Sequence, residues 1–482
     1  MKKLLTLLCL GMALVSARAQ DINIDHQTTG HSRFWTYYNP YPSNHIGSQE
    51  WWNGPTLSGD WWGVRNYLDD SGVELSANYT NNIAGNPVGG MRQGFTYTDN
   101  TGFGLELNFE KLIGINGLKL FVSGLNRAGT SLSQDYIGNQ FTVQQVYGGQ
   151  TAMFYALVLT QSLLDDKINL KVGRFSTGDD FASSPIYWLY MNNGIDGNPQ
   201  SLPVNTQFSA YPWAVWAARL RVQPTPETNA MLGVYQVSDR VFDRDYNGLD
   251  WGMRSGDGVL MIGQIGWTPE FFKRPVTTDS ASDGKTKVDN RMSAVTSERP
   301  ASNGKDFKAI SPKTEMKGLP GHYWFGFYYS PWQFAQFGTT ERAGNSYGFY
   351  WHADQMVFQE APGSDQGLTL WTAFVLSPQQ NIAKLPFQIN GGIVYKGLVP
   401  GRDADYSMVG MAYGQFSNKY ASASDAAGLG SPSYEVALEA SYRVNFTKFL
   451  YVQPDVQYII NPGGTGNIAN ALVLGAQMGV TF

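Results

Sequence analysis

The chain has 482 residues, 42% of them hydrophobic, 14% aromatic and only 15% charged, with 54 glycines. This composition excludes a disordered protein and points to a large folded body. The formal net charge is -5, and it falls to -8 if the first 19 residues are removed, because Lys2, Lys3 and Arg18 leave while all 39 acidic residues stay. An acidic chain of this kind is disfavoured as a nucleic-acid binder.

Residues 1–19 read as a secretory signal, with Lys2 and Lys3 as its basic start, Leu4 to Val15 as its apolar core and Ala17-Arg18-Ala19 as its cleavage site. The single cysteine, Cys9, lies inside that core, and Thr6-Leu7-Leu8 before it lacks the small residue of a lipoprotein box. The exported chain, starting at Gln20, is therefore expected to hold no disulfide, thiolate metal site or cysteine nucleophile. No later stretch approaches the roughly 18 consecutive apolar residues of a spanning helix. Any membrane passage must use strands, and strands satisfy their backbone polar groups in hydrocarbon only as a closed barrel of the bacterial outer membrane.

Period-2 alternation supports that reading along the chain. After an N-terminal segment over 20–72, a barrel domain is expected over 73–482. Strands fit at 73–84, at Phe103 to Phe109 (with Glu106 and Asn108 on the opposite face), and at 117–127, 148–162, 167–175, 213–223, 230–237 and 257–267. They continue at 321–330, 346–358, 366–377, 385–396 and 406–417. Val436 to Val444 and Leu450 to Tyr458 alternate again. At the C-terminus Leu472, Leu474, Ala476, Met478, Val480 and Phe482 share one apolar face, opposite Ala471, Val473, Gly475, Gln477, Gly479 and Thr481. That count gives an all-β, transmembrane antiparallel barrel of about sixteen strands; merging or splitting a hairpin would give fourteen or eighteen. An eight-stranded barrel would use too little chain, and a plugged 22-stranded transporter would need a folded plug that the residues before Asp60 cannot supply.

If the last strand ends in the periplasm, the connections 128–147, 176–212 and 238–256 are external, and the turns at Ile113 to Gly117 and Leu164 to Lys167 are periplasmic. One connection sits awkwardly: the polar stretch 268–320 falls in the periplasm, either as a disordered insertion or as a sign that the strand count is off by one. Aromatic clusters at Tyr187, Trp188 and Tyr190, at Tyr211, Trp213 and Trp216, and from Tyr323 to Tyr329 suit either interfacial girdles or platforms for sugar rings.

Several segments resemble the OprB-like carbohydrate-selective porins: SGDWWGVRNYLDDSGVEL (58–75), the LNFEKL run ending at Leu112, INLKVGRFSTGDDFASS (168–184), YWHADQMVF (350–358), YKGLVPGRDADYSMVGMAYGQFS (395–417) and FLYVQPDVQYIINPGG (449–464). The departures are Trp-Trp-Gly after Asp60, where the family usually has Trp-Gly-Gly, and the length of 268–320. The resemblance implies a sixteen-stranded outer-membrane barrel through which sugars diffuse inward, with a short amphipathic helix near the N-terminus. Residues 60–69 fit that helix, capped by Asp60, with Trp61, Val64, Tyr67 and Leu68 on one face.

Facilitated diffusion needs no nucleophile, only a wet constriction whose polar groups replace a sugar's hydroxyl hydrogen bonds and whose aromatic faces meet its C–H surface. Alternation over 213–223 turns Trp216, Ala218, Leu220 and Val222 to lipid and Arg219 and Arg221 to the lumen. Glu106, Asn108, Glu435, Glu439, Arg443, Gln453, Asp455 and Gln457 are further candidate lumen residues, although such charges also brace walls by pairing. The longest external connection is the candidate eyelet, offering Asp179, Asp180, Tyr187, Trp188, Asn192 and Asn193; a surface lid is the alternative. Arg402 is expected to lock a periplasmic turn by pairing with Asp403 or Asp405.

The competing functions are a general or anion-selective porin, which Arg219 and Arg221 keep open, and, remotely, a secreted carbohydrate-active enzyme. Against the enzyme, Glu435 and Glu439 lie i, i+4 on one strand with Cα atoms about 13 Å apart, beyond the ~5 to 9.5 Å of glycosidase carboxyl pairs unless the side chains converge. The five histidines show no H-E-x-x-H, so no metal or cofactor is expected. The expected partners are carbohydrate solutes, outer-membrane lipid and the barrel-assembly machinery, which would engage Phe482; a homo-oligomer stays open.

Overall fold

The computed structural model describes residues 46–278 and 313–482. The signal expected at 1–19 and the middle of the polar stretch lie outside the described residues. In chain order the strands are β1 (Val73–Gly90), β2 (Phe95–Asn108), β3 (Leu118–Gly129), β4 (Thr151–Leu163), β5 (Ile168–Phe175), β6 (Val215–Thr225), β7 (Thr228–Val237), β8 (Gly258–Trp267), β9 (Glu270–Thr278) and β10 (Lys313–Ser330). They continue with β11 (Phe334–Ala335), β12 (Arg342–Ala343), β13 (Ser346–Gln359), β14 (Gly367–Leu376), β15 (Phe387–Lys396), β16 (Tyr406–Gln415), β17 (Tyr434–Asn445), β18 (Leu450–Ile460) and β19 (Ala469–Thr481). Short helices are α1 (Gln49–Trp52), α2 (Val64–Ser71), α3 (Phe109–Ile113), α4 (Ser201–Thr206) and α5 (Asn418–Ala426).

Sixteen of these strands form one antiparallel ring. Each pairs with its neighbour in sequence, β8 joins the upper half of β10 from Tyr323↔Trp267 to Tyr329↔Met261, and β1 closes on β19 from Asn78↔Thr481. Closure leaves the barrel wall without a free edge, which is what hydrocarbon demands. The alternation is realised as side-chain direction: on β19 Ala471 and Val473 are fully buried while Leu474 is 51% exposed, and on β14 Trp371, Ala373 and Val375 point in while Leu370 and Leu376 point out. Among the aromatics, Phe325 and Phe327 face outward, but Trp324 and Tyr328 are buried in the lumen, as are Tyr187 and Tyr190. The latter two belong to no interfacial girdle.

The polar connection enters and leaves as a ribbon. β9 pairs with the first half of β10, Lys313↔Thr278 through Pro320↔Glu270, beyond the barrel rim. Phe272 and Lys273 both stand opposite Gly318, a bulge in which Phe272 takes a left-handed φ of 54°. The ribbon is extra to the ring, so the count of sixteen stands with this connection on the periplasmic side.

The N-terminal helix is displaced from its expected place. Trp61, Trp62 and Gly63 have φ of 53°, 58° and 86°, left-handed values that no right-handed helix includes, so α2 begins at Val64 and not at Asp60. Asp60 contributes its carbonyl, accepting from the N–H of Gly63 (3.0 Å) and Arg65 (3.1 Å), and not a carboxylate cap. Arg65 then stacks over Trp61 at 4.4 Å and donates to the carbonyl of Phe482 at 3.0 Å. Trp51 packs on Phe449, 5.0 Å between ring centres, and Leu57 donates its N–H to Thr481 at 2.7 Å. Residues 51–65 are thus tied to the C-terminal strand and to the β17–β18 turn at the periplasmic rim.

Candidate functional site

The external connection 176–214 leaves the wall at β5 and β6 and crosses the lumen to the opposite side. It does so because its own sequence is apolar at intervals: Phe181, Tyr187, Leu189, Tyr190, Met191, Ile195, Leu202 and Phe208 are all buried. Its start is a tight turn, in which Ser176 caps Asp179 and Asp179 reciprocally accepts from the Ser176 N–H. Asn198 donates to the carbonyls of Gly178, Phe181 and Ala182 at 3.1 to 3.2 Å. A Cβ at Gly178 would meet Asn198 Oδ1 at 2.0 Å, so a side chain there would push the Asn198 amide away from these carbonyls.

The far wall receives the loop with polar side chains, and these are residues expected to line the pore. Glu439 accepts from the backbone N–H of Met191 (2.7 Å) and Asn192 (2.9 Å). Gln457 accepts from the Asn192 amide at 2.8 Å and donates to Asp455 at 2.9 Å and to the Val143 carbonyl at 3.0 Å. Gln453 donates to the Leu189 carbonyl at 2.9 Å, and Arg443 donates to Gln453 (2.7 Å) and to the Trp188 carbonyl (2.8 Å). Glu435 takes the N–H groups of Gln140, Phe141 and Gly463, each at 2.7 Å at its closest, and so pulls a second external connection, 130–150, inward. Buried carboxylates filled by backbone donors are structural clamps.

An open space lies on the side of β1 to β5. A cavity of about 310 Å³ is lined by Asn78, Glu106, Phe121, Tyr155, Thr160 and Lys171 of the wall and by Asp179, Trp188, Asn198 and Tyr211 of the loop. Its electrostatics are mixed. Glu106 pairs with Lys119 at 2.6 Å, and Lys171 directly faces Arg219 across β5 and β6, the two cations sharing Asp180 at 3.0 and 3.1 Å. Asp179 accepts from the Tyr155 hydroxyl and from Ser176 Oγ. Tyr211 donates to Asn100 at 3.1 Å and carries the Arg127 guanidinium 5.1 Å from its ring centre.

Of the candidate pore residues, Glu106, Asp179 and Trp188 line this cavity. Arg219 and Asp180 stand behind it as an ion pair, with Arg219 also donating to Asn169 Oδ1 at 2.6 Å, and Arg221 is half-buried further along β6. Asn108 is elsewhere: its side chain caps α3 in the periplasmic turn by accepting from Glu110 and Lys111. Tyr187 is wholly buried against the wall, Asn192 is consumed by its clamps, and Asn193 donates its N–H to Thr142 at 2.7 Å. Lys171, Tyr155 and Asn78 are not among the candidates read from the sequence, and Tyr211 is there only as an aromatic suited to a girdle or a sugar platform. The first three sit on strands whose alternation was legible, and assigning inner faces to β1, β4 and β5 would have found them.

At the periplasmic rim Arg402 grips Asp405 with two bonds of 2.7 and 2.8 Å, and Asp405 also accepts from Tyr442 and from the Asn445 N–H, both at 2.8 Å. Burial alone would raise the Asp405 carboxyl, but these donors outweigh it and hold the pKa below the usual carboxylate range.

A closed sixteen-stranded barrel with an infolded external loop narrowing a wet lumen defines an outer-membrane channel of the porin class. Residues 92–482 match the family described as carbohydrate-selective porin, OprB family, and the chain belongs to that family. Porin B of Pseudomonas aeruginosa is 26% identical over 462 residues, covering 89% of this chain and 92% of its own. The putative porin QuiX of Acinetobacter baylyi is 23% identical over 454 residues, covering 88% and 93%. In fold, the high-pH structure of Pseudomonas putida OprB superposes with a TM-score of 0.75 at 23% identity, covering 89% of this chain and 99% of that one. The protein is a sugar-selective, multi-pass β-barrel porin of the Gram-negative outer membrane.

Proposed function

We propose that selection takes place in the 310 Å³ cavity between β1–β5 and the crossing loop, and that solutes pass it without chemical change. The observation that carries this is the lining itself: an indole, Trp188, faces carboxylates, amides and an ammonium across a space at the small end of ligand sites, which run from about 300 to 1,000 Å³. A pyranose has an apolar C–H face and a rim of hydroxyls that both donate and accept. Trp188 suits the face; Asp179, Glu106 and Asn78 suit the hydroxyl protons; Lys171 suits the hydroxyl oxygens. Because each contact is single and open to water, a sugar gains enough to enter and too little to stay. Residues Arg219 and Arg221 act behind this surface and not as an anion ring, which favours sugar over anion passage.

The test is swelling of proteoliposomes with the refolded protein and its Trp188→Ala and Lys171→Met variants. The expected result is slower glucose entry through both variants with undiminished entry of a small uncharged non-sugar. Unchanged glucose rates would remove the cavity as the selective site. Outer-membrane lipid, assembly machinery acting on Phe482 and self-association remain the proposed partners beyond the solute.

A further inference from the structure

The barrel wall has a notch near its outer rim. β4 reaches outward to Thr151, but β5 pairs with it only as far as Leu157↔Arg174 before the chain turns inward as the crossing loop. From Thr151 to Ala156 the β5 side of β4 is therefore without a strand, an open edge of the kind that a membrane wall must satisfy. The external connection 238–256 satisfies it. Phe154 donates its N–H to the Asn247 carbonyl at 2.9 Å, and the Asn247 side-chain amide donates to the Ala152 carbonyl at 2.8 Å. Gly248, with a φ of 72°, lets the chain pass so close that a Cβ there would run into the Phe154 carbonyl oxygen.

From Gly248 the connection returns to β8 across the outside of the barrel. One outward side chain from each of β4 to β7 receives it. Trp251 packs on Phe154 at 5.3 Å, Arg174 donates to the Asp250 carbonyl at 3.2 Å, Trp216 Nε1 donates to the Trp251 carbonyl at 2.9 Å, and Gln236 donates to the Gly252 carbonyl at 3.3 Å. Alternation fixes these four as outward, since Met153, Phe175, Val215 and Tyr235 beside them are buried. Arg174 shows how complete the cover is. It is only 3% exposed although it faces away from the lumen, because the Asp250 and Ala214 carbonyls and the indoles of Trp216 and Trp251 enclose it.

The height of this cover follows from the strand beneath it. Phe154 stands nine positions from Leu163 at the periplasmic end of β4, roughly 30 Å along the strand and, at a tilt of about 40°, roughly 23 Å along the membrane normal. The apolar band of such a barrel is about 25 Å tall, so the connection lies at the outer interface, where tryptophan is favoured. What it turns away from the wall is apolar: Leu249 is 62% and Met253 71% exposed, with Trp251 between them. The charges beside this strip pair with one another, Arg240 with Asp250 and Asp257 and Arg254 with Asp250. Below it the outer face of β7 continues with Val234 and Leu232, 50% and 61% exposed, which an outer-membrane barrel presents to lipid.

We propose that the connection 238–256 is a lipid-seated flap: Leu249, Trp251 and Met253 rest against the acyl chains of outer-leaflet lipid and carry the lipid-facing wall over the notch that the crossing loop leaves. This rests on the proposed contact with outer-membrane lipid and not on the sugar site.

The experiment reads the surroundings of single side chains. With Cys9→Ser the chain has no cysteine, so Leu249→Cys, Met253→Cys, Leu232→Cys and Leu429→Cys can each carry one environment-sensitive fluorophore. The proteins are refolded into phosphatidylcholine vesicles at high lipid excess, and folding is shown by heat-modifiable gel mobility. Nitroxide on the shallow acyl carbons should quench the labels at 249 and 253 about twofold, as it should at 232 on the wall, while aqueous iodide barely affects them. Leu429 is as exposed as Met253, at 71%, but follows a helix whose Tyr420 packs on Phe337 and Phe416; its label should respond to iodide and not to nitroxide. Iodide quenching at 249 and 253 beside nitroxide quenching at 232 would overturn the flap while leaving the barrel in lipid. Iodide quenching at 232 as well would overturn the lipid contact on which the flap rests. Protection from both quenchers that is lost when the protein is diluted in lipid would assign the strip to a second copy of the chain, and that too would overturn the proposal. Should one labelled flap variant fail to fold, the other decides.

Discussion

Arg443, on the inner face of β17, donates to the carbonyl of Trp188 at 2.8 Å from across the lumen, while its Nε holds Gln453 at 2.7 Å and its guanidinium lies 4.3 Å from the Tyr451 ring centre. A wall cation thereby sets the position of a loop indole 255 residues away in sequence. Arg443→Lys keeps the charge but loses the planar fork and the stacking. It should leave barrel assembly intact and lower the preference for glucose over a size-matched non-sugar roughly threefold, within the range of one charge-assisted hydrogen bond. Proteoliposome swelling checks this.

Glu435 clamps 130–150 to the wall with a fully buried carboxylate. Glu435→Ala removes both acceptor oxygens and leaves the N–H groups of Gln140, Phe141 and Gly463 without their partner. The connection should detach and the barrel should persist. The measurement is limited proteolysis: cleavage within 130–150 should appear in the variant under conditions where the wild type stays whole, with gel mobility of the folded form unchanged.

The two faces of β19 predict opposite outcomes for the same substitution. Leu474 is 51% exposed on the outside, whereas Gln477 points inward, accepting from Asn82 at 2.9 Å and donating to Tyr451 at 2.8 Å. Leu474→Arg should cost about 2–4 kcal/mol at mid-depth in the bilayer and sharply reduce the folded form in heat-modifiable gels, whereas Gln477→Arg should insert normally. Equal tolerance of the two would contradict the register.

The periplasmic turn carries a pH dependence of defined sign. Asp405 has a folded-state pKa below its ordinary value, so its contribution is fully present above the unfolded carboxylate value, about 3.9, and is lost only as the pH falls through the lower folded value. The turn should therefore hold at mildly acidic pH and loosen in strong acid. Asp405→Asn should loosen it at neutral pH too, read as faster amide exchange at Asn445, whose N–H Asp405 accepts.

The strands were legible because a barrel wall has one rule, alternation, and each strand obeys it locally; Leu474 and Val473 declare their faces without reference to any partner. The closing of the ring at sixteen was legible for the same reason. What could not be read were relations between distant segments. Glu439 and Gln457 look like pore residues from their own strands and become clamps only once the backbone of Met191, Asn192 and Val143 is brought to them. Tyr187 reads as a platform, yet its neighbour Trp188 faces the cavity while it faces His352. The helix near the N-terminus was misplaced by a few residues because left-handed backbone at Trp61 and Trp62 leaves no mark on amphipathic spacing.

The most direct test of a sugar-selective constriction is the swelling of proteoliposomes containing the wild-type porin in glucose, in an uncharged non-sugar of similar size and in salts of small anions. Faster entry of glucose than of the matched solute, without preference for the anions, is the predicted result. Equal rates for glucose and its match, or faster entry of the anions, would contradict it.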